Sequence, residues 1–342
     1  MLRMTNDFDF PFFMKTSLFL FFPALALAGC ETATNLPEPP HTPRVSLFYV
    51  LTPAPQDSSF SELFRQRQLY VSNSQRVFST DRLNGRADAA VELRDAAGRV
   101  VERYRPIADN FNSGYGGNPG YYRSILGFRP QAGQVYTLRA TVPGLEPAES
   151  TLTLPAAPII ESASYQVRSA APGSGYYATG RLTVTVRDDP NAANYYVAFA
   201  HVLDARGQPF SYGTVEPDRD SQANAASIDQ FQLSSAQQQS SLGAYGIQPF
   251  ADTNLSGPRL TLATDVRYRS GCYSQGPCPQ PAFIEVTVSS ITADTYHFYL
   301  SNRRYYDSDG NPFAEPAPLA GNVRGGYGLL GGAADATYRI PL

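Results

Sequence analysis

Residues 89–106 read AAVELRDAAGRVVERYRP, and this stretch decides the fold class. Val91 and Leu93 alternate with Glu92 and Arg94, the period of two that a strand with one buried face requires. Asp95-Ala96-Ala97-Gly98 then supplies a turn, because an aspartate bonds the backbone just ahead of it and a glycine accepts positive φ. Val100 resumes the apolar pattern beyond the turn. The spacing predicts a β-hairpin with Val91, Leu93 and Val100 on one side of a half-buried antiparallel pair.

The same texture extends in both directions. Upstream lie RVSLFYVL (44–51) and RQLYVS (67–72); downstream lie VYTLRATV (135–142) and AESTLTLP (148–155), separated by the turn PGLE. About seven strands between residues 44 and 156 match the count and spacing of an immunoglobulin-like or transthyretin-like β-sandwich. Pro155 and Pro158 mark a boundary, and 157–342 reads as a second β-rich domain with little helix. Its strands are SASYQVRS (162–169), GRLTVTVR (180–187), YYVAFAHVLD (195–204), RLTLATDVRY (259–268) and FIEVTVSSI (283–291). Tyr296, Tyr299 and Leu300 fall at i, i+3 and i+4, which favours a helix there, and the closing ATYRIPL suits an edge strand. Between them, PFAEPAPLAGNVRGGYGLLGG (312–332) reads as a surface wrap pegged by Phe313, Leu319 and Leu329, with a partner-binding loop as the alternative.

Composition agrees with a β protein: 22 tyrosines, 27 glycines, 28 prolines and no tryptophan favour strands and tight turns. The net charge is −3 with opposite charges interspersed, so there is no basic stripe for nucleic acid. Lys15 is the only lysine. No G-x-S-x-G elbow or GK[ST] loop is present. His41, His201 and His297 are scattered, and Asp307-Ser308-Asp309-Gly310-Asn311 fails as an EF-hand because Pro318 stands where the bidentate glutamate belongs. The reading is therefore non-enzymatic and without cofactor.

One loop has the composition of a contact surface. DNFNSGYGGNPGYYRS (109–124) sets Tyr115, Tyr121 and Tyr122 among glycines, and reads either as a plain connection or as an aromatic ligand- or partner-binding loop. Cys272 and Cys278, inside SGCYSQGPCPQP, read as a local disulfide, with a metal site as the alternative.

The N-terminal segment carries an address. Lys15 is followed by a run from Leu18 to Ala28, interrupted only by Pro23. Roughly 11 residues are too few for a bilayer core that needs about 20, so residues 1–29 read as a signal peptide. Acidic Asp7 and Asp9 precede it, which points to Met14 as the true start. The run ends at Leu27-Ala28-Gly29-Cys30, which resembles a bacterial lipobox and implies acylation of Cys30 after cleavage. Three acyl chains hold a protein on a membrane far better than one. Residues 30–43, polar and proline-rich, suit an extended tether. Glu31 replaces the aspartate of the inner-membrane retention rule, which favours the outer membrane, on its periplasmic or cell-surface face.

Several stretches together resemble the domain-of-unknown-function family 4249. They are Val91 to Gly98; Pro143-Gly144-Leu145; Leu154-Pro155; Asp188 and Pro190 with Tyr195-Tyr196; Phe250-Ala251-Asp252 with Gly257; the strand before Ser289; Tyr296; Asn311 to Pro316; Gly321-Asn322-Val323; and Gly325 to Gly328. The likeness spans nearly the whole chain behind the tether. It departs at the polar insert around Ser234 to Ser241 and at the Cys272–Cys278 loop. The resemblance implies a lipoprotein in two parts that accompanies a TonB-dependent outer-membrane transporter; the family has no agreed activity, so no catalytic residues carry over to this chain. A structural or adhesive surface protein is the alternative.

Overall fold

The computed structural model describes residues 38–53, 67–76, 79, 85–107, 119–170, 177–189, 192–218, 220–222, 233–234, 247–252, 258–269, 280–308 and 317–342. Residues 41–75 and 79–342 form one compact unit, and it is mainly β.

Among the described residues, seven strands build its first part: β1 (Val45–Leu51), β2 (Leu69–Asn73), β3 (Ala90–Asp95), β4 (Val100–Pro106), β5 (Tyr121–Ser124), β6 (Val135–Thr141) and β7 (Ala148–Thr153). They hydrogen-bond in the order β7-β6-β3-β4-β5-β2-β1, antiparallel at each step. The β3–β4 hairpin is present as its sequence predicts. Asp95 accepts the backbone N–H groups of Ala97 and Arg99 at 3.0 Å, and Gly98 takes φ +77° to close the turn. The register slips between Leu93 and Arg94, however, so Val100 stands opposite Arg94 and not on the core side. The inward positions of β4 are instead Glu102 and Tyr104, opposite Leu93 and Val91. Around them, Leu47, Leu51, Leu69, Leu93, Leu138 and Leu154 form a continuous buried core.

The second part contains β8 (Ile159–Ala170), β9 (Tyr177–Arg187), β10 (Tyr195–Leu203), β11 (Pro209–Pro217), β12 (Phe250–Ala251), β13 (Arg259–Arg269), β14 (Phe283–Ile291), the helix α1 (Ala293–Ser308) and β15 (Gly326–Pro341). The hydrogen-bonded path here runs β14-β10-β11-β13-β9-β8, with β12 beside β10. Leu182, Val184 and Val186 on β9 alternate inward as the pattern predicts, against Val202, Leu260, Val266 and Val286. β11 bonds β10 through Thr214 and Pro209, then β13 through Val215 to Pro217. One strand thus turns the corner between two sheets.

The two parts share β15. Its first half, Gly326 to Gly332, pairs in parallel with β1; its second half, Ala333 to Pro341, pairs antiparallel with β14. The second half is the edge strand that ATYRIPL predicts. From Gly326 onward the first half corrects the reading of 312–332 as a surface wrap, because Gly326, Gly328, Gly331 and Gly332 lie inside a ladder. A Cβ at Gly328, whose φ is +107°, would fall on the carbonyl oxygen of Leu47, and one at Gly326 on that of Val45. Bare backbone is what lets β15 approach β1 so closely. Of the proposed pegs, Leu329 is fully buried, Leu319 is 49% exposed, and Phe313 lies outside the described residues.

The helix at Tyr296–Leu300 is present as α1. The Thr292 hydroxyl lies 3.4 Å from the Thr295 N–H and caps its start. Tyr299 turns inward among Val50, Phe199, Ile291 and Leu329, in a third cluster between β1, β10 and β15. Among the described residues no helix is long and apolar enough to cross a membrane.

Candidate functional site

The β1–β7 body encloses a cleft of about 420 Å³. Tyr49, Tyr104 and Phe128 form its aromatic walls, Gln68 and Thr52 bring polar groups, and Arg123 and Arg129 stand at its edge. The lining comes mainly from β1, β4, β5 and the turn after β5, with β2 between β5 and β1 in the sheet. Pro53 and Gln68 line the cleft at the two ends of the connection between β1 and β2. Ile107 and Tyr122 do the same for the connection between β4 and β5, where the Ile107 N–H bonds the Tyr121 carbonyl at 2.9 Å. A rigid β scaffold thus gathers the roots of two long connections around one opening, the arrangement in which binding loops recur.

The chemistry of the cleft is that of neutral, buried tyrosines. Tyr104 donates to the Tyr49 hydroxyl at 3.3 Å, and their rings meet edge-on at 5.6 Å. Burial pushes the Tyr49 hydroxyl up to about 12 and that of Tyr104 well above the ordinary tyrosine range. Both stay protonated at physiological pH and serve as donors. Glu102, only 2% exposed, lies below them. Its carboxylate accepts the N–H groups of Arg103 (2.9 Å), Ile125 (3.1 Å), Leu126 (2.7 Å) and Phe128 (2.8 Å). Four amides occupy both oxygens, so this acid holds the turn after β5 and leaves little capacity for a ligand.

The predicted aromatic loop divides. Tyr115 lies outside the described residues. Tyr121 is half-buried in β5, with its ring 4.8 Å from that of Tyr70. Tyr122 is 1% exposed; its hydroxyl donates to the Arg86 carbonyl at 2.6 Å and accepts the Ala89 N–H at 2.9 Å. That placement corrects the picture of Tyr122 as an outward contact residue, because β5 alternation turns it into the core. Cys30, Cys272 and Cys278 also lie outside the described residues. His201 is buried on β10, and burial lowers its pKa. The exposed ring of His297 sits against Tyr296 at 5.4 Å, and His41 shares a hydrogen bond of 2.9 Å with Ser74. Among the described residues no three His, Cys, Asp or Glu side chains converge as metal ligands.

A second polar centre escaped the sequence reading. Asp188 and Asp252 are 8% and 5% exposed and meet around Asn194. Its amide nitrogen donates to Asp188 at 3.2 Å and to Asp252 at 2.8 Å, and its backbone N–H reaches Asp252 at 3.0 Å. Tyr196 donates to Asp188 at 3.1 Å, and Phe250 stacks on Tyr196 at 5.6 Å. Burial first, and the neighbouring Asp252 charge after it, raise the Asp188 pKa. Asn194 also lines a cleft of about 590 Å³ with Tyr195, Thr292 and Asp294.

The stretches Asp188 to Tyr196 and Phe250 to Asp252, far apart in sequence, are therefore one physical unit. The family model described as a domain of unknown function (DUF4249) matches residues 57–339. The chain belongs to the DUF4249 family. The match takes in the cleft residues from Gln68 to Pro130, the Asp188–Asp252 centre and most of β15, while Tyr49, Leu51, Thr52 and Pro53 of the cleft precede it. No curated protein matches the DUF4249 chain.

Proposed function

We propose that this DUF4249 protein is an outer-membrane lipoprotein, anchored by acylated Cys30, that serves a TonB-dependent transporter as a non-enzymatic accessory and presents substrate to it. The observation that carries the reading is the tyrosine-walled cleft at the roots of two long connections, on a β body that follows a proline-rich tether. Such a cleft takes the apolar or ring-shaped part of a small nutrient between aromatic walls while hydroxyls orient its polar edge. We read β1–β7 as an immunoglobulin-like or transthyretin-like sandwich, and Cys272–Cys278 as a disulfide that stiffens a hairpin tip. The signal sequence and Leu27-Ala28-Gly29-Cys30 support the location. The link to TonB-dependent transport comes with the family resemblance.

Solubilisation of the acylated chain in mild detergent, followed by affinity purification, tests this reading. A stoichiometric TonB-dependent barrel should co-purify, and Cys30→Ser should abolish acylation of the chain and weaken its membrane retention. A chain recovered alone, which binds only matrix or neighbouring cells, would replace the transport role with a structural or adhesive one.

A further inference from the structure

The outward face of the β4–β5 ladder carries charges that no carboxylate among the described residues matches. Arg105 stands directly opposite Arg123 in the antiparallel register, where like charges repel. Arg103 occupies the next outward position of β4, and Arg129 is exposed just past the turn that follows β5. Among the described residues, no carboxylate forms an ion pair with any of these four guanidinium groups. Glu92, opposite Arg103 across the β3–β4 ladder, is engaged by Arg94. Several exposed arginines elsewhere are matched, Arg99 with Asp95, Arg187 and Arg259 with Glu161, Arg324 with Glu149 and Arg339 with Glu285, whereas Arg44, Arg206 and Arg304 are exposed without an ion pair among the described residues.

Between these arginines the chain turns through Ile125, Leu126 and Gly127, and the two aliphatic side chains are 48% and 58% exposed. The turn is held from beneath. Glu102 binds the backbone of Ile125, Leu126 and Phe128, and the Phe128 ring packs inward, 5.8 Å from Tyr136. A buried acid and a half-buried ring thus fix a knob whose remaining apolar atoms project into solvent, with guanidinium groups around it.

We propose that this knob is a membrane-contacting surface for a phospholipid bilayer with anionic headgroups. Ile125 and Leu126 enter the boundary between headgroups and acyl chains, and Arg103, Arg105, Arg123 and Arg129 bind the lipid phosphates. Charge complementarity decides for lipid phosphate: the chain as a whole carries −3, so attraction to an anionic surface has to be local, and guanidinium matches phosphate in a bidentate fork. Two aliphatic side chains are too small a core for a protein interface, which takes about 800 Å² from each partner, yet they suffice as an interfacial wedge beside basic residues. The contact is independent of acylation at Cys30.

The test uses the full chain carrying Cys30→Ser, so that no acyl anchor contributes, sedimented with phosphatidylcholine vesicles with or without phosphatidylglycerol. The apolar segment 18–28 contributes equally in every variant. Binding should be at least about tenfold tighter to the phosphatidylglycerol vesicles at low salt and should fall as salt screens the phosphates. In that background, Leu126→Asp should weaken it about tenfold or more. So should the double variant Arg105→Glu/Arg123→Glu, since each basic residue near an anionic surface is worth about fivefold. Both variants are exposed and should keep the parent melting temperature; should Leu126→Asp melt early, Leu126→Ser takes its place. Equal binding to the two vesicle types, or binding retained in either variant, overturns the proposal.

Discussion

Glu102 is the residue on which the first part of the molecule turns. It occupies a position where strand alternation calls for an apolar side chain, and it is kept there by four amide donors in place of a cation. A carboxylate removed from water costs several kcal/mol unless its lone pairs are filled, and here the turn from Ile125 to Phe128 fills them. Glu102→Gln keeps the shape but replaces one oxygen by an NH₂ group that faces N–H donors. The expected loss is about 2–4 kcal/mol, measured as a lower urea midpoint with unchanged slope. The same variant should loosen the Ile125–Leu126 turn, read as faster amide exchange there than in β6. Nothing in VVERYRP distinguishes such an acid from an exposed one; only a charge at an inward position of an alternating strand hints at it, and the one-residue slip after Leu93 conceals which positions face inward. Tyr122 was hidden for a similar reason. Glycines on its N-terminal side suggest an exposed loop, whereas two ladder partners, Leu69 and Pro106, decide that its ring points to the core. The centre of Asp188, Asn194 and Asp252 was legible only as separate stretches, because the strands that bring them together pair residues more than fifty positions apart.

At the scale of elements, strands with period-two alternation announce themselves and those without it do not. β1, β3, β6, β9, β13 and β14 all bury alternate side chains or an apolar run, and each was readable. β5 is four residues long, too short to show a period. The first half of β15 is glycine-rich, a composition that predicts loops wherever no close neighbour is known. Its parallel partner β1 is 281 residues away in sequence by register, Val45 opposite Gly326, so no local pattern reveals it. Gly328 tests this account. Its left-handed backbone and the Leu47 carbonyl beside it leave no room for a methyl group, so Gly328→Ala should cost about 2–4 kcal/mol. Thermal melting measures it. The same substitution at Gly98, where φ is +77° but nothing stands within 4 Å, carries the backbone penalty alone and should cost less.

For the whole molecule, sharing β15 couples two cores that would otherwise be separate. Arg67, 3% exposed, strengthens the tie: it reaches Asp335 at 2.7 Å and Ser289 at 3.0 Å, joining the entry to β2 with β14 and β15. Buried tyrosines report on both sides of the coupling. Burial raises Tyr49 in the first core and Tyr299 on the inner face of α1 to about 12. In the unfolded chain each titrates near 10, so between these values the unfolded state has lost protons that the folded state retains. Stability is therefore full below about pH 10 and falls as the pH rises toward 12, by up to about 3 kcal/mol for each such tyrosine. Far-UV circular dichroism and tyrosinate absorbance, followed as the pH is raised, should coincide in one transition. Two separated steps would show that the cores open independently.

The sharing of β15 also fixes an order of events during biogenesis. β1 is the first strand of the body to leave the ribosome, yet one of its edges is completed only by the last strand made. Until Gly326 and its successors arrive, that edge and the edge of β14 offer bare backbone to any extended neighbour. A polypeptide wired in this way cannot settle early, which is compatible with the export proposed above, and it leaves prematurely terminated copies as templates for aggregation.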